Sequence, residues 1–160
     1  MSYFARSLSA SQIEQLFTAG TTYHTRDVQD ERDGQDRKTA LALQDLTEKV
    51  LAACFEVANE LGSGFVESVY EKALLIALHQ RGIEAECQVP LKVMFRNEVV
   101  GDFYADILVG NKLIIELKAV RNLVSEHQAQ LINYLKATGI EIGLLINFGN
   151  SKLEYRRLHR

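Results

Sequence analysis

Two of the most apolar stretches in this chain, Phe103-Tyr-Ala-Asp-Ile-Leu-Val109 and Leu113-Ile-Ile-Glu-Leu-Lys118, carry charged residues, with a Gly-Asn turn signal between them. Stripping a carboxylate of water without giving it a partner costs at least several kcal/mol. Asp106, Glu116 and Lys118 therefore constrain the fold, because whatever buries these strands must also put the charges to use. Glu116 and Lys118 are two apart on one strand and so share a face. The loop decides where Asp106 lies. A two-residue turn at Gly110-Asn111 would pair Val109 with Lys112 and leave Asp106 opposite Ile115, turned away from Glu116. A three-residue loop, Gly110-Asn111-Lys112, pairs Val109 with Leu113 and sets Asp106 directly across from Glu116. If the charges are to meet, the sequence predicts an odd-numbered loop or a bulge here, with Asn111 or Lys112 in the left-handed region.

An Asp and a Glu-x-Lys on adjacent strands can hold a divalent cation beside a phosphate. The two carboxylates offer hard oxygen ligands to Mg²⁺ or Mn²⁺, with the Leu117 carbonyl as a further ligand. Lys118 would orient or deprotonate an attacking water, or neutralise charge on the phosphate. The plainer alternative for Glu116 and Lys118 is a charge pair at a strand end near solvent.

A chain of 160 residues that is 47% hydrophobic supports one globular domain and hardly two. A net charge of −3 argues against a protein that coats DNA non-specifically. It argues less against a metal-dependent nuclease, whose acidic ligands lower the net charge until a cation binds. Cys54 and Cys87 have no Cys-x-x-Cys spacing and read as reduced core residues, while His24, His79, His127 and His159 are scattered and read as surface residues. The first residues, Met-Ser-Tyr-Phe-Ala-Arg-Ser, lack a continuous apolar core of the signal-peptide kind, and a soluble, cytoplasmic protein is expected.

Residues 1–40 stand apart. Ser9 to Phe17 suggests a short amphipathic helix, and the charged stretch Thr22 to Lys38 reads as a linker or solvated segment. From Asp45 the pattern is regular, with Leu46, Val50, Cys54, Val57 and Leu61 at helical spacing before Gly62-Ser-Gly64. A second helix over Glu67 to Gln80 buries Ala73, Leu74, Ala77 and Leu78. Extended segments follow at Ala85 to Val89, Leu91 to Phe95, Val99 to Val109 and Lys112 to Val120, forming an antiparallel meander. Ser125 reads as an N-cap with Gln128 completing a capping box, on a helix to Thr138 whose apolar face is Ala129, Leu131, Ile132 and Leu135. Ile142 to Phe148 reads as a strand covered on both faces, and Lys152 to Leu158 as an edge strand.

Gly64-Phe-Val-Glu67-Ser-Val-Tyr70 matches the G-x-x-E-x-x-Y signature. The match continues through Gln88-Val-Pro-Leu, Ala105-Asp106, Glu116-Leu-Lys-Ala-Val120, His127 to Gly139 and Leu144-Leu-Ile-Asn-Phe-Gly149. Residues 45–158 thereby resemble the GxxExxY proteins of bacteria and archaea, placed in the PD-(D/E)XK nuclease superfamily. Two positions depart from the pattern: Ser63 stands where proline is common, and Ala58 where histidine is frequent. The resemblance implies an α/β fold with an αβββαβ core, a mixed central sheet flanked by helices, and an active site at the bend of that sheet. Asp106 corresponds to the first acid, Glu116 and Lys118 to the E-x-K, and Glu67 to a helix acid that joins the metal ligands. Gln130 and Tyr134 resemble the Q-x-x-x-Y pair of recombination exonucleases, and their i, i+4 spacing puts them on one helix face.

The implied activity is Mg²⁺- or Mn²⁺-dependent phosphodiester hydrolysis on DNA, or on RNA. Two other readings stand beside it. One is a catalytically silent nucleic-acid or protein binding module that keeps the fold; the other is a subunit whose N-terminal extension recruits a protein partner. Glu67 also suits a first helical turn on electrostatic grounds alone, Tyr70 suits a core residue whose hydroxyl reaches a neighbour, and Asp102 reads as solvated.

Overall fold

The structure, a computed structural model, describes residues 25–160, with side chains from Arg32 onward. The chain divides into two units, residues 1–40 and 41–160. In the first, Thr25 to Ala40 is helical and its side chains from Arg32 are exposed, so the stretch expected as a linker is the start of helix α1 (Thr25–Leu61). Its Arg, Gln, Glu and Lys residues propagate a helix well once a buried segment has nucleated it, and offset the poorer Asp residues and Gly34. The segment from Ser9 to Phe17 lies outside the described residues.

In the second unit α1 is followed by α2 (Glu67–Gln80), β1 (Ala85–Phe95), β2 (Glu98–Val109), β3 (Leu113–Lys118), α3 (Ser125–Thr138), β4 (Ile142–Asn147) and β5 (Glu154–His159). The strands form one sheet in chain order, antiparallel except for the parallel β3–β4 pair that α3 connects. This is the mixed α/β architecture the sequence implies. Helices cover both faces. On one, Val50, Cys54 and Val57 of α1 and Tyr70, Leu74 and Leu78 of α2 pack on Ile107, Leu113, Ile115, Leu117, Leu144 and Ile146. On the other, Leu131, Tyr134 and Leu135 of α3 pack on Leu91, Ala105, Ile114 and Leu145.

Four local readings need correction. Leu61 is exposed rather than part of the α1 stripe. Ala85 to Val89 and Leu91 to Phe95, expected as two extended segments, are one strand, β1, which tolerates Pro90 as an edge strand with one side unpaired. The cap of helix α3 falls one residue earlier than expected, at Val124, so that Ser125 is the first helical residue: the Val124 N–H donates to His127 Nδ1 at 3.2 Å, and Ser125 bonds to Glu126 instead. Tyr134 replaces Ala129 on the buried face of that helix, because Ala129 is exposed.

The loop after β2 has three residues. Ile107 pairs with Ile115, Leu108 with Ile114 and Val109 with Leu113, while Gly110 and Asn111 take φ of 52° and 55° and the Lys112 N–H donates to the Val109 carbonyl. This is the odd register that puts Asp106 on the side of Glu116.

Candidate active site

The sheet bends at Asp106. Ala105 and Ile107 are two apart, yet Ala105 packs with α3 and Ile107 with α1 and α2. Strand β1 changes face at the matching place, with Cys87 on one side and Leu91 on the other. From Ala85 to Val93 the β1–β2 ladder keeps one register but skips the pair between them, Gln88 opposite Asp106, and Gln88 takes a φ of 52°; the register shifts only further on, between Val93 and Met94. Both strands twist there by one half-turn of the side-chain alternation.

At the same level β2 parts from β3, whose last ladder partner is Ile115. The Leu117 N–H, left without a backbone acceptor on that side, donates to Asp106 Oδ2 at 2.7 Å. A residue's N–H and C=O point to the same side of an extended strand, so the Leu117 carbonyl is aimed at the edge where Asp106 stands. Glu116 is 3% exposed, and its Oε1 accepts from Lys118 Nζ at 2.8 Å. Its other oxygen, Oε2, is buried with no hydrogen-bond partner.

These positions set the electrostatics. Burial raises the Glu116 carboxyl to about 7, the Asp106 charge adds to the rise, and Lys118 opposes it. Burial likewise raises Asp106, against the Leu117 N–H and Lys118, which favour its anion. Burial alone would lower Lys118, but its bond to Glu116 and the fields of Glu116, Glu67 and Asp106 leave it raised, so it is held as an ammonium ion.

Glu67 sits in the first turn of α2, exposed, and accepts a hydrogen bond from the Ala119 N–H at 3.3 Å, just beyond Lys118. It is close enough to raise both Asp106 and Glu116. From α3, Gln130 Nε2 donates to the Tyr134 hydroxyl at 2.9 Å. Burial raises the Tyr134 phenol, Gln130 opposes this, and the Glu116 and Asp106 charges add to the rise. The structure thus gathers Asp106, Glu116, Lys118 and Tyr134, with Glu67 at the rim and Gln130 attached through Tyr134. Among the described residues, no three His, Cys, Asp or Glu side chains form a ready-made metal cage. What exists is a pair of carboxylates, one with an unpartnered buried oxygen, beside a carbonyl. Such oxygens suit a hard divalent cation, which would satisfy the orphan and remove the repulsion between the acids.

The G-x-x-E-x-x-Y signature also acquires a physical account. The Tyr70 hydroxyl donates to the Gly62 carbonyl at 2.8 Å and accepts from the Phe65 N–H at 3.2 Å, fixing the turn before Glu67. Gly64, with φ of 114°, takes a conformation that side chains disfavour. Sequence reasoning gave no role to Gln88, whose amide bonds to Glu71 and also favours the Asp106 anion. Nor did it give one to the wholly buried Asn147. Asn147 could have been found from the sequence, as the one polar residue in an aliphatic strand.

The model of the PD-(D/E)XK nuclease superfamily matches residues 44–158. No curated protein matches the chain. Among solved structures, one described as the crystal structure of SSO0001 aligns at 20% identity and a TM-score of 0.49, over 58% of this chain and 49% of that one. Among the described residues, no helix is long and apolar enough to cross a membrane.

Proposed function

Because the chain belongs to the PD-(D/E)XK nuclease superfamily, we propose that it is a divalent-metal-dependent nuclease hydrolysing phosphodiester bonds of DNA, or of RNA. Within the superfamily, the signature from Gly64 to Tyr70 and the later motifs favour the GxxExxY group. The observation that carries the reading is the buried, unpartnered Glu116 Oε2 beside Asp106. A folded domain has no structural reason to keep two mutually repelling carboxylates side by side, one half-buried and the other buried.

In this reading Asp106, Glu116 and the Leu117 carbonyl would hold Mg²⁺ or Mn²⁺, with Glu67, at the rim on the Ala119 N–H, as a further carboxylate ligand. The cation would polarise a phosphate and lower the pKa of a bound water. Lys118, held as an ammonium ion, places positive charge where the phosphate gains negative charge and donates hydrogen bonds that orient the attacking water. Tyr134, fixed by Gln130, offers its hydroxyl to a phosphate oxygen. Residues 1–40 would serve as an arm for a protein partner.

The test is cleavage of single-stranded, duplex, flapped and branched substrates with Mn²⁺ or Mg²⁺, comparing wild type with Lys118→Ala. Metal-dependent products that disappear in the variant are expected. Thermal stabilisation by Mn²⁺ should disappear in Asp106→Ala and in Glu116→Ala. Stabilisation that survives both would refute the site, and absence of product from every substrate would favour a silent binding module.

A further inference from the structure

The turn Asn147-Phe148-Gly149 has no role in the mechanism above, yet it makes more contacts with the end of β3 than a connecting turn requires. The Phe148 N–H donates to the Lys118 carbonyl at 2.8 Å, the last bond of the parallel pairing. One residue further, the chain has left the sheet, and the Asn147 side chain takes over the bonding. Its Oδ1 accepts the Val120 N–H at 3.0 Å and the Gly149 N–H at 3.0 Å, while Nδ2 donates to the Val120 carbonyl at 2.9 Å. The amide therefore holds both polar groups of Val120, as a strand partner would. Gly149 lies so close that an added Cβ would stand 2.1 Å from the Val120 carbonyl oxygen. Ala119, held between Lys118 and Val120, presents its N–H to Glu67.

The same turn also reaches the other side of the site. The Phe148 ring stacks on Tyr70 at 4.6 Å and 8°, and Tyr70 fixes the turn that leads into Glu67. One tripeptide, buried at Asn147 and Phe148, thus braces the strand that carries Lys118 and the helix that carries Glu67.

We infer that Asn147 is a positioning residue of the site: its side chain sets the backbone from Lys118 to Val120 so that the Lys118 ammonium and the Ala119 N–H point at the acids. This rests on the nuclease reading for its consequence in catalysis, but not for the placement itself. Displacing a working group by about 1 Å can cost on the order of a hundredfold in rate.

The experiment compares wild type, Asn147→Ala and Asn147→Ser, the last keeping one acceptor oxygen and serving as the test protein if the alanine variant does not fold. In a folded variant kcat with Mn²⁺ should fall on the order of a hundredfold with KM nearly unchanged, the serine variant recovering part of it. Amide hydrogen exchange provides the readout that a merely structural role would not move. The Ala119 N–H bonds to Glu67 and not to Asn147, so its protection should fall on the order of tenfold, the worth of one hydrogen bond, in the variant. Loss of protection confined to Val120, with kcat intact, would overturn the inference. If wild type cleaves nothing, the nuclease reading fails, and Ala119 exchange alone decides: protection lost supports the positioning role, and protection kept refutes it.

Discussion

The inner strand pair, β3 and β4, and the outer hairpin, β1 and β2, treat polar residues in opposite ways. Every residue of β3 and β4 is buried except the half-buried Lys118. The hairpin has the longer strands, yet from Met94 to Tyr104 nearly all of it is exposed, including Phe95, Val100 and Phe103. In the hairpin, a charge such as Asp102 costs little and indicates nothing. In the inner pair each polar side chain must offset its desolvation, and the three that occur, Glu116, Lys118 and Asn147, all converge on the candidate site. The meaning of a charged residue depends on how much water its strand excludes.

The largest effect should separate the two regions by packing alone. Ile115→Ala, which empties a fully buried position, should cost about 2–5 kcal/mol. Val100→Ala, on the exposed part of the hairpin, should stay within about 0.5 kcal/mol. Urea denaturation of both variants checks this, and equal losses would erase the distinction.

A charge placed in the inner pair should show itself by its pH dependence. Burial raises the Glu116 carboxyl from 4.5 to about 7. A raised acid stabilises the fold below its unfolded value, and that contribution is lost as pH climbs through the folded value. Glu116→Gln should therefore match wild type near pH 4 and exceed it increasingly up to pH 8 in chelator, by about 3 kcal/mol for a shift of that size. Mn²⁺ should close most of this gap by giving the wild-type acids a partner. A difference independent of pH would mean that Glu116 is not held toward its neutral form.

The parts legible in the sequence were those where one physical rule dominated. Glycines at Gly62, Gly82 and Gly139 mark helix ends, and the parity of the loop at Gly110 to Lys112 fixes the face of Asp106. Asp106, Glu116 and Lys118 stood out because charge is rare in such strands. Gln88 was hidden because it acts through a backbone twist that it shares with Asp106, and no side-chain pattern records a twist. Asn147 carried the same signal as Glu116, a polar group in an aliphatic run, but its partners lie 27 residues away on the backbone of Val120. The charged start of α1 is not legible as a helix because a helix with no apolar stripe gives no periodicity to read.

Tyr70 tests whether the convergence on the site extends beyond charges. It is fully buried, stacked on Phe148, and its hydroxyl makes both hydrogen bonds of the turn before Glu67. Tyr70→Phe keeps the stack and removes only the hydroxyl, so a loss of about 1–2 kcal/mol is expected. Thermal unfolding measures that loss. If Tyr70 serves only as packing, the variant will be as stable as wild type.

The smallest effect belongs to the loop that joins the outer hairpin to the inner pair. Asn111 sits at φ of 55°, a conformation Asn tolerates and Gly adopts freely. Asn111→Gly relieves the residual strain of the left-handed backbone, but it also widens the freedom of the unfolded chain, and the two changes oppose each other. The net change should fall within about 0.5 kcal/mol, and the register should hold, since loop length and not the side chain sets it. The Leu117 amide reports on this directly, because its protection depends on Asp106 reaching it from across the loop. Unchanged Leu117 protection in the glycine variant would show that the alignment of the acids is written in the spacing of the two strands. Lost protection would place that alignment in the Asn111 side chain instead.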